Sequence, residues 1–434
     1  MSTQLLRPKA VQVLKALRSG STPAAFAKEL AVGQTPWFDA ALALLDDTSD
    51  CDHFDVRFVR ARYGGGKTHF LRRLQSEAKS RNWATAYVLL KHGEVELDHF
   101  NTVVAEIADK LELPDGKRGF RSLLMQALTE IAKRHGYNPT GMMSQKTRER
   151  AQHAVSRFIQ NHGLGYQFNL ALQVCMYALL ESDDMLLAQY ANWFCGGGQP
   201  LIVDPNDLWA SPNKAKTRAS RSVLKPLGLG DAEQLIRLFA LLVDEAGYSG
   251  LYFAIDEIEL IAGQPNRRRN NSFQTLRALV DQNDENLMPP STCLYLAATP
   301  DMFESPDLFP SYKALQDRIE ELPSLNGAGA INYRAPVVNL DATELGEDDL
   351  RALAANIISV FTAANGEPTA DAVGRVEGLV SAVANGNYVI ARPRLLCRCM
   401  VELLEGRLGA DLREELATRT EEMRKERDRE IKGK

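Results

Sequence analysis

The feature that most constrains this chain is a glycine-rich turn between a predicted strand and a predicted helix. The turn, residues 62–69, reads RYGGGKTH, with three glycines directly before Lys67 and Thr68. Before it, FDVRFVRA (54–61) alternates polar with β-branched and aromatic side chains, as a half-buried strand does. Helical spacing follows the turn, and the next apolar run, ATAYVLL (84–90), is again typical of a strand. This order predicts a strand–helix–strand unit of a parallel sheet.

The composition of the turn is that of a phosphate-binding loop. Gly64, Gly65 and Gly66 let successive backbone N–H groups point into one concavity and donate to phosphate oxygens. In such a loop Lys67 reaches the β- and γ-phosphates, and the Thr68 hydroxyl binds Mg²⁺. The turn therefore predicts a site for ATP and Mg²⁺.

One position departs from the pattern G-x-x-x-x-G-K-[ST], because Ala61 stands where its first glycine belongs. On the loop alone, a flexible glycine turn beside a surface lysine stays an alternative. A second motif, LYFAIDEIEL, favours the nucleotide site, since its strand (251–255) ends in Asp256 and Glu257. At the edge of a sheet beside the loop, Asp256 can hold Mg²⁺, and Glu257 can orient and deprotonate the attacking water. Together the two motifs indicate a P-loop NTPase.

Two further segments resemble parts of AAA+ ATPases. The apolar strand at 292–298 is followed by Thr299, which can hydrogen-bond the γ-phosphate or the water and resembles a sensor-1 residue. The segment YKALQDRIEEL resembles the one that carries the arginine finger, which makes Arg318 the candidate for stabilising charge at a neighbouring subunit's nucleotide. A surface arginine paired with Asp317 or Glu321 is the alternative.

Three more residues are expected near the nucleotide. Arg394, in ANGNYVIARPRLLCR, resembles the sensor-2 arginine at the start of a lid helix, with a structural salt bridge as the alternative. Gly33 lies in AVGQTPWF, which resembles the loop that packs on the adenine, although the family more usually has arginine at Gln34. His69 follows the loop threonine, and we expect it to cap the helix or to support the site without a catalytic role.

The strand pattern lapses between residues 100 and 230, where helical periodicity dominates without an obvious strand. The predicted fold class is α/β: an AAA+-type parallel sheet flanked by helices, with a large helical insertion and a C-terminal helical lid. We expect five segments, namely an N-terminal helical segment with the adenine-side loop (1–50), the first part of the P-loop core (51–99), the helical insertion (100–230), the second part of the core (231–340), and the lid with a charged C-terminal helix (341–434).

Charge and hydropathy limit the other classes of function. The net charge of −5 does not indicate a chain that binds nucleic acid over its whole surface. The most apolar run (170–180) is shorter than the ~18 residues that a membrane span needs. Charges interrupt the N-terminal apolar residues, so we expect a cytoplasmic location and no secretion.

Two local segments are candidates for contact with DNA. The basic stretch at 267–269 is predicted to be a loop that contacts DNA or a neighbouring subunit, or simply a solvated loop. The last helix has i, i+4 pairs such as Glu415 with Arg419 and Glu421 with Lys425, which favour a solvated helix or a partner-binding tail.

The stretches ARYGGGKTHFLRRL, IDEIEL and ALRSGSTP, with the helical insertion, together resemble the BrxC/BrxD P-loop ATPases of bacterial BREX phage-exclusion systems. The length is closer to the shorter BrxD members. This resemblance implies an AAA+ ATPase that acts on DNA with other defence proteins, possible homo-oligomers and no membrane. Two alternatives stay open: a nucleotide-gated switch or scaffold with negligible turnover, and a DNA ATPase of the origin-recognition or helicase-loader type outside defence.

Overall fold

One five-stranded parallel sheet organises the molecule, and helices cover both of its faces. The computed structural model describes residues 6–18, 27–33, 35–51, 53–138, 144–196, 199–204, 222–281, 291–319, 331–343, 345–388 and 390–432. Within these residues the chain is an α/β protein in which helix predominates.

The described elements follow in chain order. The strands are β1 (Phe54–Arg60), β2 (Trp83–Leu89), β3 (Leu201–Val203), β4 (Ser222–Leu224), β5 (Gly250–Asp256), β6 (Thr292–Ala298) and β7 (Val337–Asn339). The helices are α1 (Arg7–Arg18), α2 (Thr35–Cys51), α3 (Lys67–Ser80), α4 (Phe100–Lys110), α5 (Phe120–Arg134), α6 (Gln145–Asn161), α7 (Tyr166–Glu181), α8 (Asp184–Phe194), α9 (Ala232–Glu245), α10 (Asn266–Asp281), α11 (Pro300–Glu304), α12 (Lys313–Ile319), α13 (Glu347–Asn365), α14 (Ala370–Asn385), α15 (Arg392–Leu404) and α16 (Leu412–Lys432).

The sheet has the strand order β2-β5-β6-β1-β7, and its strands pair in parallel. The registers align the strand ends, because Arg60 lies opposite Ala298 and Leu89 lies opposite Asp256. Residues that follow β1, β5 and β6 therefore meet at one edge of the sheet. The predicted strands are confirmed within a residue or two, including β6 between the strands that precede the glycine loop and end at Asp256.

Each face of the sheet packs on its own layer of helices. On one face, α2 and α3 bury apolar side chains such as Phe38 and Leu74 against Tyr252 and Tyr295. On the other face, the helices between β2 and β5, together with α10, share a single core with sheet residues such as Phe253. The helical region at 100–230 is thus continuous with the sheet through packing.

Two short strands in this region were not predicted. β3 and β4 form an antiparallel ribbon in which Ile202 lies opposite Val223. Each strand has three residues, which is too few for an alternating pattern to stand out from the surrounding sequence.

The C-terminal helices have a separate core. Helices α13, α14 and α15 pack together, and α1 joins them through Leu14 and Leu17. On α16, Arg419 pairs with Glu415 at 3.3 Å and Lys425 with Glu421 at 3.8 Å, so both predicted i, i+4 pairs are confirmed.

The prediction of a basic loop at 267–269 is wrong, because these residues form the first turns of α10. The guanidinium of Arg268 is bound by two carboxylates, at 2.6 Å from Asp98 and 2.5 Å from Glu96. Arg268 is therefore part of a structural ion-pair cluster. Within the described ranges, no helix combines the length and the apolar character that a bilayer crossing requires.

Candidate nucleotide-binding site

The glycine loop follows β1 and opens directly into α3. Gly64 and Gly66 have φ values of 79° and 96°, a region that side chains with a Cβ rarely adopt. Gly66 is the N-cap residue of α3, and no side chain caps the helix. The first N–H groups of α3 are therefore left for an external acceptor, and the positive end of the helix dipole favours an anion there.

Packing explains why alanine is tolerated at position 61. Ala61 is fully buried and is not among the residues with positive φ, so its backbone does not require glycine. The demand for glycine falls on Gly65, where an added Cβ would lie 2.9 Å from the Ala61 Cβ and 2.9 Å from the Arg62 carbonyl oxygen. The missing first glycine thus leaves the loop geometry intact.

Asp256 ends β5 beside the start of α3. Its carboxylate is fully buried, and its Oδ2 accepts hydrogen bonds of 2.6 Å from both the Thr68 hydroxyl and the Tyr87 hydroxyl. Its Oδ1 accepts from the backbone N–H of Glu257 at 2.9 Å. A hydroxyl and a carboxylate side by side are hard oxygen donors of the kind that Mg²⁺ prefers. The sequence prediction that Thr68 and Asp256 share one location agrees with this geometry.

Tyr87 has a supporting position that the sequence did not indicate. The Arg72 guanidinium lies over the Tyr87 ring, with its Cζ 3.3 Å from the ring centroid. The Tyr87 hydroxyl donates to Asp256. Burial and the neighbouring Asp256 carboxylate raise the pKa of Tyr87, so the phenol stays protonated and keeps donating. Tyr87 thereby fixes the orientation of the Asp256 carboxylate.

Lys67 is almost fully buried, with 7% of its side chain exposed, and it has a carboxylate partner that the sequence did not predict. Its ammonium lies 3.4 Å from Glu259 Oε1 and donates to the Ala61 carbonyl oxygen at 3.2 Å. Burial lowers the pKa of Lys67, but the carboxylates of Glu259, Asp256 and Glu257 outweigh it, so the net shift is upward and the ammonium stays charged.

Glu259 is anchored on one side only. Its Oε2 is buried and makes no hydrogen bond with the described residues. A buried carboxylate oxygen without a donor is unfavourable, and such atoms call for a ligand or a water. The only sequence signal for Glu259 was its place in IDEIEL, where the catalytic and metal-binding roles were assigned to Asp256 and Glu257.

Glu257 has a backbone conformation unusual for its residue type. Its φ is 63°, in the left-handed region, and it stands at the N-terminus of the 3-10 helix Ile258–Gly263. A non-glycine residue there is strained by about 1–3 kcal/mol, and such strain occurs preferentially at functional sites. Its carboxylate is half-buried and close enough to Lys67 to raise the pKa of that lysine.

Thr299 follows β6 at the same edge of the sheet. It is buried, and its hydroxyl does not cap α11, the helix that begins directly after it. Because β6 lies between β5 and β1, Thr299 stands between Asp256 and the glycine loop, as predicted.

Arg394 connects the C-terminal helices to the glycine loop. Its guanidinium lies 4.2 Å from the centroid of the Tyr63 ring, and a Cβ on Gly64 would come within 2.8 Å of the Arg394 Cβ. The backbone N–H of Ala391, just before α15, donates to the Tyr63 carbonyl oxygen at 3.3 Å. The Arg394 Nε is buried and has no hydrogen-bond partner among the described residues, so this donor is available for an anion.

Arg318 and Gly33, the other predicted residues, contact different parts of the protein. Arg318 pairs with Asp281 and also donates to the Ala314 carbonyl oxygen at 2.6 Å, whereas Asp317, one of the two acids expected to pair with it, pairs with Lys313. The other expected acid, Glu321, lies outside the described residues. Gly33 has a φ of 58° and packs on Leu345 and on Asp349 of α13, and its neighbour at position 34 is also not described.

His69 lies in the first turn of α3, and Gly66 occupies the N-cap. Of the two roles expected for His69, helix capping is therefore wrong, and support of the site stays a prediction. Burial, with a smaller contribution from Arg73, lowers the pKa of His69 to about 4. The ring is therefore neutral near pH 7.

The donors and acceptors at this edge fit a nucleoside triphosphate with Mg²⁺. The loop and helix N–H groups, the Lys67 ammonium and the unpartnered Arg394 Nε are donors for phosphate oxygens. Thr68 and Asp256 offer oxygen atoms of the kind that Mg²⁺ binds, and the buried Glu259 Oε2 has no hydrogen-bond partner among the described residues.

A comparison with family models matches residues 7–411 to the family described as BREX system ATP-binding protein BrxC/D. The match covers most of the chain. No curated protein and no solved structure matches the chain significantly.

Proposed function

Because the chain belongs to the BrxC/BrxD family of BREX-system ATP-binding proteins, we propose that it is an AAA+-type ATPase of phage defence, most like the shorter BrxD members. The observation that carries this proposal is the contact between Thr68 and Asp256. It joins the end of the glycine loop to the acidic end of β5 at 2.6 Å, beside an uncapped helix N-terminus. A surface lysine near a flexible turn would not require this arrangement.

The residues of this edge have separate roles in the proposed reaction. Gly64 and Gly66 present backbone N–H groups to the phosphates. Gly65, whose N–H donates to the Arg62 carbonyl oxygen at 2.8 Å, holds the loop in the shape that binds them. Lys67 binds the β- and γ-phosphates, and Thr68 with Asp256, held by Tyr87, binds the metal. When bound, Mg²⁺ supplies a Lewis acid that neutralises charge on the phosphates.

Glu257 takes the proton of the attacking water in this proposal, and Thr299 orients that water or the γ-phosphate. Both residues follow neighbouring strands, so they can act on one water at the edge of the sheet. Arg394, which already touches the loop at Gly64 and Tyr63, transmits the state of the phosphates to the C-terminal helices.

The segments predicted from the sequence have corresponding roles. The C-terminal helices (341–434) act as the lid over the nucleotide, the helices at 100–230 act as an insertion in the core, and Gly33 belongs to the adenine side. Arg318 acts on the nucleotide of a neighbouring subunit, which makes a homo-oligomer the active form. Arg318 is exposed, so at a subunit contact its side chain can leave the ion pair with Asp281 and reach the neighbouring nucleotide.

Membership in a BREX family implies other defence-system proteins as partners. We extend this to double-stranded DNA, on which ATP hydrolysis would drive assembly or remodelling. A nucleotide-gated switch with negligible turnover is the second candidate. It is favoured by the ion pair between Lys67 and Glu259, which the phosphates of a nucleotide would have to displace.

The test is steady-state ATP hydrolysis by the purified chain, with and without double-stranded DNA, beside Lys67→Ala and Glu257→Gln. Turnover that is lost in both variants and rises with DNA is the expected result. Tight ATP binding by wild type, with turnover as low as that of Glu257→Gln even with DNA, would reject the ATPase in favour of the switch.

A further inference from the structure

The helix α6 carries a stripe of cations on its outer face. Lys146, Arg150, His153 and Arg157 are all exposed, at successive spacings of four, three and four residues. At 100° per residue these spacings place the four side chains within about 60° of one another around the helix. The opposite face of α6, with Val155 and its neighbours, is buried in the core.

Three of these cations have no acidic partner in the part of the chain that the structure describes. Among the described residues, no ion pair involves Lys146, Arg150 or Arg157. The acid nearest the stripe along the helix, Glu149, lies at its margin and accepts a hydrogen bond from Gln145 at 3.1 Å. By contrast, Arg148 on the same helix is paired with Glu181. The stripe is thus a local concentration of positive charge in a chain whose net charge is −5.

The positive potential extends to the end of the preceding helix. Burial lowers the pKa of His135, just past the end of α5, and Arg157, Arg134 and Arg150 lower it further. His135 therefore lies within electrostatic reach of both helices. Although Arg134 pairs with Glu245, the neighbouring charges that shift the pKa of His135 are all cations, and they lower it.

We propose that the exposed stripe of α6 (Lys146, Arg150, His153 and Arg157) is the surface on which this protein binds the phosphate backbone of double-stranded DNA. The proposal deepens the DNA action suggested above and rests on that part of it. It gives the helical region between β2 and β5 a role that the sequence did not assign. Because cations attract the phosphates of any sequence, we assign the stripe to the DNA backbone, where contacts position the protein without specifying sequence.

The dimensions suit a duplex backbone. Eleven helical residues separate the ends of the stripe, which corresponds to about 16 Å at 1.5 Å per residue. Phosphates recur about every 3.4 Å of helix axis along one DNA strand, and the winding of the strand separates neighbours by about 7 Å in space, so the stripe lies beside about three of them. Three permanent charges over this length can neutralise about three phosphates.

The test measures binding of a fluorescent, mixed-sequence DNA duplex to the full chain by anisotropy, at several salt concentrations. The test variant is the triple substitution Lys146→Gln, Arg150→Gln and Arg157→Gln, since glutamine keeps helix propensity. A matched control removes three exposed cations from α16 through Arg413→Gln, Arg424→Gln and Lys425→Gln. Circular dichroism and ATP binding show that both variants remain folded.

Each cation that contacts a phosphate contributes about 0.9 to the slope of log affinity against log salt, so the α6 variant should lose about 3 from this slope. Between about 50 and 200 mM salt, the affinity of wild type should then fall about 40-fold more than that of the variant. The α16 control should behave like wild type.

Wild-type affinity and slope in the α6 variant would overturn the assignment of the surface while leaving DNA action in place. The same holds if only the α16 control is impaired. Failure of wild type to bind the duplex would overturn both the surface and the DNA action. ATP binding, which is measured separately, decides the nucleotide function independently of either result.

Discussion

Glu259 should compete with ATP for the lysine of the glycine loop. Lys67 is buried, and its ammonium lies 3.4 Å from Glu259 Oε1. The phosphates must draw the ammonium away from this carboxylate, so part of their interaction energy replaces an existing ion pair. Glu259→Gln keeps the shape of the side chain and removes its charge, and we expect it to tighten ATP binding.

The size of the effect follows from the geometry. At 3.4 Å and an effective dielectric constant of about 20, the attraction between the two charges is about 5 kcal/mol. Asp256 and Glu257 also attract the Lys67 ammonium, and they continue to do so after the substitution. We therefore expect a net gain of about 2 kcal/mol, which is roughly 30-fold in the dissociation constant for ATP.

The assay is isothermal titration of wild type and variants with ATP and Mg²⁺, combined with thermal unfolding of the nucleotide-free proteins. Glu259→Gln should bind ATP more tightly. It should also unfold at a lower temperature, because the buried Lys67 ammonium then lacks the carboxylate that balances its charge. In a Lys67→Ala background, Glu259→Gln should lose its destabilising effect, since the carboxylate no longer has its partner. Unchanged or weaker ATP binding by Glu259→Gln would refute the reasoning.

Three further outcomes are expected. Tyr87→Phe removes a buried hydrogen bond to Asp256, so the Mg²⁺ concentration that half-saturates ATP binding should rise several-fold. The free energy of unfolding should fall by about 2 kcal/mol. An unchanged Mg²⁺ titration would contradict this prediction. Gly65→Ala should abolish ATP binding while circular dichroism stays native, whereas Ala61→Gly should bind ATP; equal affinities would refute the packing explanation. The unfolded His69 has a pKa near 6.5 and the folded one about 4, so the unfolded state takes up the proton first and stability falls as pH drops from 6.5 to 4. His69→Gln should flatten that part of a pH–unfolding profile, and a parallel profile would contradict it.

The sheet and its edge were predictable because their signals are local. An alternating run before three glycines, and an apolar run before Asp256, each identify a strand and its end. In a parallel sheet these ends must meet at one edge, so Thr68 and Asp256 were expected together before any distance was known.

The supporting contacts were not predictable from local pattern. Tyr87 is one aromatic residue in a strand, and only the pairing of β2 with β5 brings its hydroxyl to Asp256. Glu259 reaches Lys67 because the chain turns into a 3-10 helix after the left-handed Glu257. For Arg268, the carboxylates that bind it lie far away in the chain, so charge clustering alone suggested an exposed loop.

The central claim is that the loop at Gly64–Thr68 and the acidic end of β5 form one ATP site. Equilibrium dialysis of radiolabelled ATP with Mg²⁺ against wild type and Lys67→Ala tests it most directly. One saturable site per chain in wild type, with affinity reduced at least tenfold in Lys67→Ala, is the predicted result. ATP binding that is equally tight in both proteins would place the nucleotide elsewhere and contradict the account.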